Sequence, residues 1–301
     1  MGTQIAQLGM QETTRQIKAV ANSFTVVTPN YNMGRYLTET IESVLANLRS
    51  GDEYFIIDGG STDGSVDVIQ KYEPRLTGFV SELDRGHADA LAKGFARATG
   101  DVLCWINAGD LLLPGALDAA REALADSGAD MIFGDDLYID EEGRVIFFSR
   151  GYVKDLKSAM LYGGWTPLQD ACFWTRALYE RVGGINPLLK QAVDYDLFLR
   201  MAMQGTTRYV PLAFSVFRRH GGQKSIASAD VYRKERVEVR RRELAHMSMS
   251  ASVKSLRSLW HGLAIRWRVH VMQHRWRCPD LVGRPVNELR CTQYWPPANA
   301  V

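Results

Sequence analysis

Three aspartates follow apolar stretches of the sequence, at points suited to chemistry rather than to packing. Asp58 comes directly after the apolar run at 55–57, Asp110 comes shortly after the run at 101–106, and Asp194 opens a segment with helical spacing. One such carboxylate can hold a ribose or a base, one can hold a divalent cation, and one can accept a proton. Together these roles are those of sugar-nucleotide chemistry.

The elements that must position these aspartates alternate between strands and helices. Hydrophobic periodicity predicts strands at 24–28, 54–57, 78–81, 101–106 and 131–133, a hairpin at 135–148, and helices at 36–48, 65–72, 88–98, 115–125, 177–182 and 194–204. This alternation predicts an α/β fold with a mostly parallel sheet covered by helices. Ligands of such sheets bind at the carboxyl ends of the strands.

The composition is that of a chain that buries a core without disulfides. The 301 residues are 46% hydrophobic, and the four cysteines form no CxxC pair. This cysteine usage argues against a zinc site and suits a reducing cytosol. The first twenty residues contain no apolar core and no run of about eighteen apolar residues occurs, so we expect a cytoplasmic protein without a signal peptide or membrane span.

The charged residues are distributed unevenly along the chain. Residues 231–277 contain twelve Lys and Arg against three Glu, a net of +9 within a total of +2, so the remainder carries −7. The pattern also becomes wholly helical at about residue 229. We therefore predict a leader at 1–22, an α/β domain at 23–228 and a basic helical appendage at 229–301.

The predicted appendage carries a tryptophan-containing apolar stripe. Leu256, Trp260, Leu263, Trp267 and Val271 recur at helical spacing beside several arginines. This pattern suits an anionic membrane surface, and it equally suits a homo-oligomer or packing on the preceding domain. The basic charge also permits nucleic acid, but phosphate binding would not require three strand-end carboxylates, so no nucleic-acid partner is expected.

Motifs of several other enzyme classes are incomplete. Gly59, Gly60 and Gly64 do not form GxGxxG, and no GxxxxGK[ST] or HExxH occurs. The segment that begins like a nucleophile elbow has Asp63 where the second glycine must be. These gaps argue against a dinucleotide-binding protein, a P-loop enzyme, a zinc protease and a serine hydrolase.

The sequence resembles the inverting family-2 glycosyltransferases of GT-A fold in five motifs that occur in the right order. They are TVVTPNYN, IDGGSTDGS, SELDRGHADALAKGFARATGD, WINAGDLLLPGAL and GGINPLLKQAVDYDLFLRM. The resemblance implies transfer of a sugar from a nucleotide-diphospho-sugar donor to a hydroxyl of a glycan or lipid-linked acceptor, in surface polysaccharide or lipopolysaccharide synthesis. It also implies Mn²⁺ or Mg²⁺ as cofactor.

The same resemblance assigns roles to individual residues. It makes Asp194 the general base that takes a proton from the acceptor hydroxyl, and Asp110 the metal ligand with His220 as a second candidate. Lys224 and Ser225 are expected to contact phosphate oxygens. The residues expected at the nucleotide are Thr28, Pro29, Asn32, Asp58, Asp84, Lys93, Ala108 and Gly109.

Two positions depart from the family pattern. Many members carry two adjacent acids where this chain has Gly109 and Asp110, so diphosphate oxygens and water must fill more of the cation's coordination shell. Members usually have Glu-Asp where this chain has Val193 and Asp194, which changes the acceptor environment. Asp196, two residues further on, is expected to be structural.

Simpler roles and other functions stay open at the level of sequence. Asp58 and Asp63 could form Asx turns or cap the helix that begins at 65, and Asp110 could cap the helix that follows it. A nucleotidyltransferase would use similar aspartates, although residues 30–35 make a poor phosphate loop. A non-catalytic sugar-binding or nucleic-acid-binding protein is the alternative outside the enzymes.

Overall fold

A computed structural model describes residues 23–221, 228–247 and 281–291 of the chain. The strands of these residues are β1 (Phe24–Asn30), β2 (Glu53–Asp58), β3 (Gly78–Ser81), β4 (Val102–Trp105), β5 (Leu111–Leu112), β6 (Met131–Ile139), β7 (Val145–Ser149), β8 (Cys172–Thr175) and β9 (Thr207–Arg218). The helices are α1 (Gly34–Leu45), α2 (Ser65–Tyr72), α3 (His87–Phe95), α4 (Ala116–Ser127), α5 (Leu156–Leu161), α6 (Arg176–Arg181), α7 (Val193–Gln204) and α8 (Ala229–Ala245). Short 3₁₀ turns lie at Glu73–Arg75, Gln169–Ala171 and Val286–Glu288.

The nine strands form one mixed sheet. Their order is β3-β2-β1-β4-β8-β6-β9-β5, and β7 pairs with β6 beside this path. Six of these strands run in one direction, and β5, β7 and β8 oppose them. The expected α/β fold with a mostly parallel sheet covered by helices is confirmed.

Helices cover both faces of the sheet because each central strand is apolar on both sides. All seven residues of β1 are buried, as expected for a strand between two helix layers. One hydrophobic cluster packs α1, α2 and α4 on the first face, and a second packs α3, α5, α6 and α7 on the other. The parallel strands β1, β2, β3 and β4 therefore end together at one edge, between the two layers.

Most predicted elements lie close to the observed ones, and α2 and β3 have the predicted bounds. The sequence pattern does not assign β8 or β9. Strand β9 contains Pro211, which cannot donate to a neighbouring strand, and its pairing with β6 is irregular around that residue. Because of this interruption, the residues of β9 do not show the regular alternation of apolar and polar residues by which a strand is recognised in a sequence.

Described parts of the predicted appendage pack onto the α/β unit. Val239 of α8 is buried in the second hydrophobic cluster, and Leu281, Leu289 and Cys291 are buried in the first. The division at 228/229 stays a prediction, because the leader and the tryptophan stripe lie outside the described residues. No helix in the described ranges is both long and apolar enough to cross a bilayer.

Candidate active site

The ends of three parallel strands form a hydrogen-bonded cluster around Asp58. Asn30, Asp58 and Ser81 are side by side in the sheet register. The buried Asp58 carboxylate accepts hydrogen bonds from Asn30 Nδ2 at 2.6 Å, Ser81 Oγ at 2.8 Å, Ser61 N and Oγ at 3.0 and 2.5 Å, and Gly60 N at 3.1 Å. Burial raises the pKa of Asp58, but the hydrogen bonds of Ser61, Ser81 and Asn30 outweigh it and hold the pKa below its usual value.

These five donors fill the acceptor positions of the Asp58 carboxylate. In this structure Asp58 shapes the loop that begins at Gly59, and the Asx-turn role considered from the sequence is present. Its contact with a ribose or base stays a prediction, and such a contact requires one of the internal hydrogen bonds to be exchanged.

The residues predicted to line the base pocket differ in their access to a ligand. Thr28 is buried, and its hydroxyl lies 3.0 Å from the Tyr54 hydroxyl inside the core. Pro29 is a buried strand residue. Asn32 is exposed and has a positive φ of 52°, and its Oδ1 accepts the Thr62 N–H at 2.8 Å. Of the three, Asn32 alone therefore presents its side chain at the rim, joining the loops after β1 and β2.

Asp84 and Lys93 reach the same edge from the segment around α3. Asp84 lies so close to Gly59 that a Cβ there would sit 2.6 Å from Asp84 Oδ2. Lys93 Nζ pairs with Glu82 at 2.8 Å and with Asp89 at 3.4 Å. The structure therefore brings Asp84 to the loop after β2, whereas Lys93 is engaged by two carboxylates.

Asn107 connects the loop that carries Asp110 to its neighbours. Its Nδ2 donates to Gln169 Oε1 at 2.7 Å and to Asp110 Oδ2 at 3.2 Å, and its Oδ1 lies 2.9 Å from His87 Nε2. Gln169 in turn donates to the Trp105 carbonyl at 2.6 Å. The Asp110 side chain is therefore held in one orientation.

Ala108 and Gly109 fix the backbone of this loop rather than presenting side chains. The Ala108 N–H points to the Pro29 carbonyl at 3.4 Å, and the Gly109 N–H donates to Thr40 Oγ1 at 2.9 Å. Gly109 has a φ of 109°, a conformation that favours glycine. The glycine in place of a second acid is thus required by the backbone observed here.

Two further aspartates, Asp136 and Asp170, lie near Asp110 and were not found from the sequence. Burial, followed by the charge of Asp170, raises the pKa of both Asp110 and Asp136, and burial raises that of Asp170 to about 6. Asp136 Oδ2 and Asp170 Oδ2 have no hydrogen-bond partner in the described part of the chain. The sequence signal for Asp136 was the GDD run at 134–136. Only the burial of this run in the structure distinguishes it from a surface turn.

This concentration of acids suits a bound cation. Carboxylates that raise one another's pKa are stabilised when a positive charge lies between or beside them. Within residues 23–221, 228–247 and 281–291, no three ligating side chains are arranged to hold a metal by themselves. Asp110 thus fits the role of a single protein ligand whose partners include diphosphate oxygens.

Arg218, at the end of β9, joins the Asp110 loop to the opposite wall. Its backbone N–H donates to Asp110 Oδ1 at 3.0 Å, and its Nε donates to the Gly109 carbonyl at 3.1 Å. Its Nη1 reaches the Glu141 carbonyl at 3.1 Å and its Nη2 pairs with Glu39 at 2.6 Å. This buried arginine was not singled out from the sequence.

His220 lies two residues beyond Arg218, on the side of Tyr36. The centres of the His220 and Tyr36 rings are 5.6 Å apart. Burial lowers the pKa of His220, although the nearby Glu141 opposes this. A neutral imidazole is the form that binds metals. The predicted phosphate contacts Lys224 and Ser225 lie outside the described residues.

Asp194 is the second residue of α7 and is half-buried. Burial raises its pKa to about 6, while the Tyr195 N–H, which donates to Oδ1 at 2.7 Å, and the charge of Arg236 oppose this rise. The thiol of Cys172 is buried close to both Asp170 and Asp194, whose charges, after burial, raise its pKa. Asp170 and Asp194 therefore both lie near the Cys172 thiol.

Asp196 has the structural role expected from the sequence. Its buried carboxylate pairs with Arg200 at 2.5 Å and with Arg242 of α8 at 2.6 Å. Two neighbouring acids of one helix therefore differ, because Asp196 is neutralised by arginines and Asp194 is not.

The sheet, its two helix layers and the acidic loops at the strand ends define a GT-A-type glycosyltransferase. The sequence profile of Glycosyl transferase family 2 matches residues 25–182, which is more than half of the 301 residues. The chain belongs to this family.

Curated relatives agree with that assignment. An uncharacterized glycosyltransferase of Nostoc sp. is 30% identical over 220 residues, covering 68% of this chain and 67% of the relative. The chondroitin synthase of Escherichia coli is 24% identical over 231 residues, covering 73% of this chain but only 32% of that longer protein.

Solved structures share the fold. TarS of S. aureus superposes with a TM-score of 0.63 at 18% identity, covering 86% of this chain and 46% of that one. A TarS fragment, residues 1–349, is solved with UDP-GlcNAc and gives a TM-score of 0.62 at 16% identity, covering 86% of this chain and 77% of the fragment. The mannosyltransferase PcManGT of Pyrobaculum calidifontis, in complex with GDP-Man and Mn²⁺, gives 0.56 at 18% identity, with coverage of 86% and 77%.

Proposed function

We propose that this protein is an inverting glycosyltransferase that moves a sugar from a nucleotide-diphospho-sugar to a hydroxyl of a glycan or lipid-linked acceptor, in polysaccharide or glycoconjugate synthesis. The observation that supports the proposal is the group of buried carboxylates beyond the strand ends, in which the charge of Asp170 raises the pKa of Asp110 and the charges of Asp170 and Asp194 both raise the pKa of the buried Cys172 thiol. A base and a cation ligand are the two groups that a displacement at an anomeric carbon needs.

Family relatives support a nucleotide-sugar as donor. TarS is solved with UDP-GlcNAc and PcManGT with GDP-Man. The strand-end loops around Asn32 and Asp84 are the walls available to such a nucleotide in this chain. Both the base and the sugar are left to experiment.

The reaction requires one base and a good leaving group. Asp194 takes the proton of the acceptor hydroxyl as its oxygen attacks the anomeric carbon, a new C–O bond forms, and the bond to the diphosphate breaks with its electron pair. Attack opposite to the leaving group inverts the anomeric carbon. A pKa of about 6 makes Asp194 a stronger base than an ordinary aspartate while it is still ionised at pH 7.

Mn²⁺ or Mg²⁺ is the proposed cofactor, with Asp110 as its protein ligand and His220 as a second candidate. Such a cation supplies positive charge to the departing diphosphate when it is bound. Asn107 and the Arg218 N–H orient the Asp110 carboxylate. The charges of Asp136 and Asp170 make the surroundings of Asp110 favourable for a cation.

The test is release of nucleoside diphosphate from UDP-, dTDP- and GDP-sugars with Mn²⁺, in the presence of candidate glycan acceptors. Asp194→Asn is expected to reduce turnover by about 10² to 10⁴-fold. Asp67→Asn, at an exposed position of α2, is the matched control and should leave turnover unchanged. In a parallel assay, formation of a nucleotide-sugar and pyrophosphate from a nucleoside triphosphate and a sugar 1-phosphate would indicate a nucleotidyltransferase. Retained anomeric configuration in the transfer product would contradict inversion.

A cytoplasmic location with attachment to the membrane surface through Trp260 and Trp267 is also proposed. It agrees with a lipid-linked acceptor. A homo-oligomer through the same residues is the competing arrangement.

A further inference from the structure

Helix α8 lies beyond residues 25–182, which the family profile matches, yet it packs directly against the helix that carries Asp194. Val239 is buried between α8 and the second hydrophobic cluster, and Tyr232 and Leu244 flank it. Arg242 anchors the far end of α8 through its ion pair with Asp196. The inner face of α8 is therefore fixed relative to α7.

Glu235 of α8 closes the amino-terminal end of α7. Its carboxylate accepts the consecutive backbone N–H groups of Lys190, Gln191 and Ala192 at 2.8, 2.9 and 2.8 Å. Ala192 is the residue that precedes α7, and no local side chain caps this helix. Glu235 thus supplies from another helix the acceptor and the negative charge that a capping residue normally provides.

The hydrogen bonds of Glu235 have a direct consequence for Asp194. The turn at 190–192 immediately precedes Val193 and Asp194, so its conformation sets the direction in which α7 begins. Three charge-assisted hydrogen bonds from one carboxylate hold that turn in a single conformation. The position of the Asp194 carboxylate therefore depends on α8.

Arg236, the next residue of α8, is a cation beside Asp194 that forms no ion pair with any carboxylate in the described ranges. Its guanidinium lies over the rings of Tyr195 and Tyr232, with distances to the ring centres of 4.6 and 5.1 Å. Its Nε is buried and has no hydrogen-bond partner among the described residues. Gly164 leaves the room it needs, since a Cβ there would lie 2.9 Å from Arg236 Nη2.

The carboxylate of Asp194 stays open on one side as a result. Among the described residues it accepts one hydrogen bond, from the Tyr195 N–H to Oδ1. Arg236 acts on it through space, which stabilises the negative charge without occupying Oδ2. A base needs this combination, because its free oxygen must accept the acceptor's proton.

We propose that Glu235 and Arg236 are positioning residues of the active site, Glu235 by fixing the turn that aims Asp194 and Arg236 by keeping the Asp194 carboxylate charged yet free to accept a proton. The proposal rests on the proposed function, since it presupposes that Asp194 is the base. It makes α8 part of the catalytic unit.

The pH dependence of the reaction distinguishes the two residues. The other titratable groups facing Asp194 are Tyr195 of α7, Tyr232 of α8 and Cys172 of β8, and burial raises the pKa of each, so they are neutral between about pH 5 and 8. Arg240, one turn along α8, adds a more distant positive charge near Tyr195. Arg236 is therefore the nearby charge to which the titration of Asp194 responds.

The first experiment compares pH profiles of kcat/KM for the full-length protein and its variants. Arg236→Gln should move the acid limb of this profile upward by about one pH unit, because the pKa of Asp194 rises when the positive charge is removed. Arg236→Lys keeps the charge and should return the limb most of the way to its position in the wild type. Arg241→Gln removes the same charge from an exposed position of α8 and should leave the limb in place. An unmoved limb in Arg236→Gln, or an equal shift in Arg241→Gln, would overturn the role of Arg236.

The second experiment tests Glu235 independently, so a poorly folding Arg236 variant does not decide the matter. Glu235→Gln should lower kcat about tenfold at unchanged donor KM, because the neutral amide holds the turn that aims Asp194 less firmly. The acid limb should stay in place, because the charge that acts on the pKa of Asp194 is that of Arg236. Glu238→Gln, at an exposed position of α8, is the control. A shifted limb or a kcat equal to that of the wild type would overturn the role of Glu235.

Failure of this inference is separable from failure of the proposed function. Full activity in Asp194→Asn would show that Asp194 is not the base and would reject the proposed mechanism. An inactive Asp194→Asn together with an unmoved limb in Arg236→Gln would leave the base in place and reject only the contribution of Arg236.

Discussion

Replacement of Arg218 by lysine is expected to destabilise the fold considerably, although the charge is kept. Arg218 is 1% exposed, and its guanidinium reaches in three directions at once, to the Gly109 carbonyl, to the Glu141 carbonyl and to the Glu39 carboxylate. Its plane also lies 4.9 Å from the centre of the Tyr36 ring. An ammonium group at the end of a single stem cannot serve these three directions together.

The magnitude follows from the partners that are lost. A hydrogen bond from a charged donor contributes about 1.5–3 kcal/mol, and a lysine that keeps the Glu39 contact leaves the two carbonyls without their donor. Because neighbouring losses are not additive and the site relaxes, we expect about 3 kcal/mol rather than the full sum. For a chain of 301 residues this corresponds to a fall in Tm of about 5 °C.

Urea unfolding of wild type and Arg218→Lys measures the difference in free energy of unfolding. Glu39→Gln is the matched control, because it removes only the end of the network that is 51% exposed and screened by solvent. It should cost less than about 1 kcal/mol. A lysine variant within about 1 kcal/mol of wild type, or a Glu39→Gln loss as large as that of the lysine variant, would refute the reasoning.

Three further perturbations test other parts of the molecule. Burial raises the pKa of Asp135 to about 7, so the folded state holds a proton that the unfolded state releases between about pH 4 and 7; this contribution to stability is complete at low pH and is lost as the pH rises through 7. Asp135→Asn should therefore flatten the dependence of the free energy of unfolding on pH between 5 and 8, by about 2 kcal/mol. Asn107→Ala should raise the Mn²⁺ concentration for half-maximal activity tenfold or more, because it removes a hydrogen bond that orients Asp110. Trp260→Ala with Trp267→Ala should abolish sedimentation with anionic liposomes.

The first of these predictions has a matched control, and each of the other two has an outcome that would contradict it. The pKa of Asp130 is lowered, because the hydrogen bonds of Thr206 outweigh burial. Its contribution to stability is lost only as the pH falls below about 4, so Asp130→Asn should leave the slope between pH 5 and 8 unchanged. An unchanged Mn²⁺ requirement in Asn107→Ala would contradict the role given to that side chain. Unchanged liposome binding in the double tryptophan variant would favour the oligomer.

The first half of the fold could be predicted because its information is local. β1, β2 and β4 are short runs of mainly apolar residues, α1 buries Tyr36, Leu37, Ile41 and Val44 on one face, and the turns between them are rich in glycine and aspartate. The positions of Asp58, Asp110 and Asp194 at element ends follow from that pattern. The parallel pairing of β1 with β2 then places Asn30 beside Asp58.

The internal partners of the site could not be predicted in the same way. Thr28 and Asp58 have the residue types of ligand contacts, but the structure engages both with neighbours that are 26 and 28 positions away. Asp136, Asp170 and Arg218 come together only through the pairing of β6 with β8 and β9. No local pattern records such pairings, particularly where Pro211 interrupts the strand.

One buried arginine, Arg218, and one half-buried arginine, Arg236, lie beside two aspartates of the site, and the difference between the two arginines follows from what each aspartate must do. A metal ligand works best when its oxygens are fixed, and Asp110 accordingly accepts hydrogen bonds from Asn107 and from the backbone of Arg218, whose side chain holds the next carbonyl. A general base must instead keep a lone pair available, and Arg236 accordingly faces Asp194 without forming an ion pair. A direct ion pair there would stabilise the carboxylate more and make it a weaker base, because the acceptor's proton would have to compete with the guanidinium.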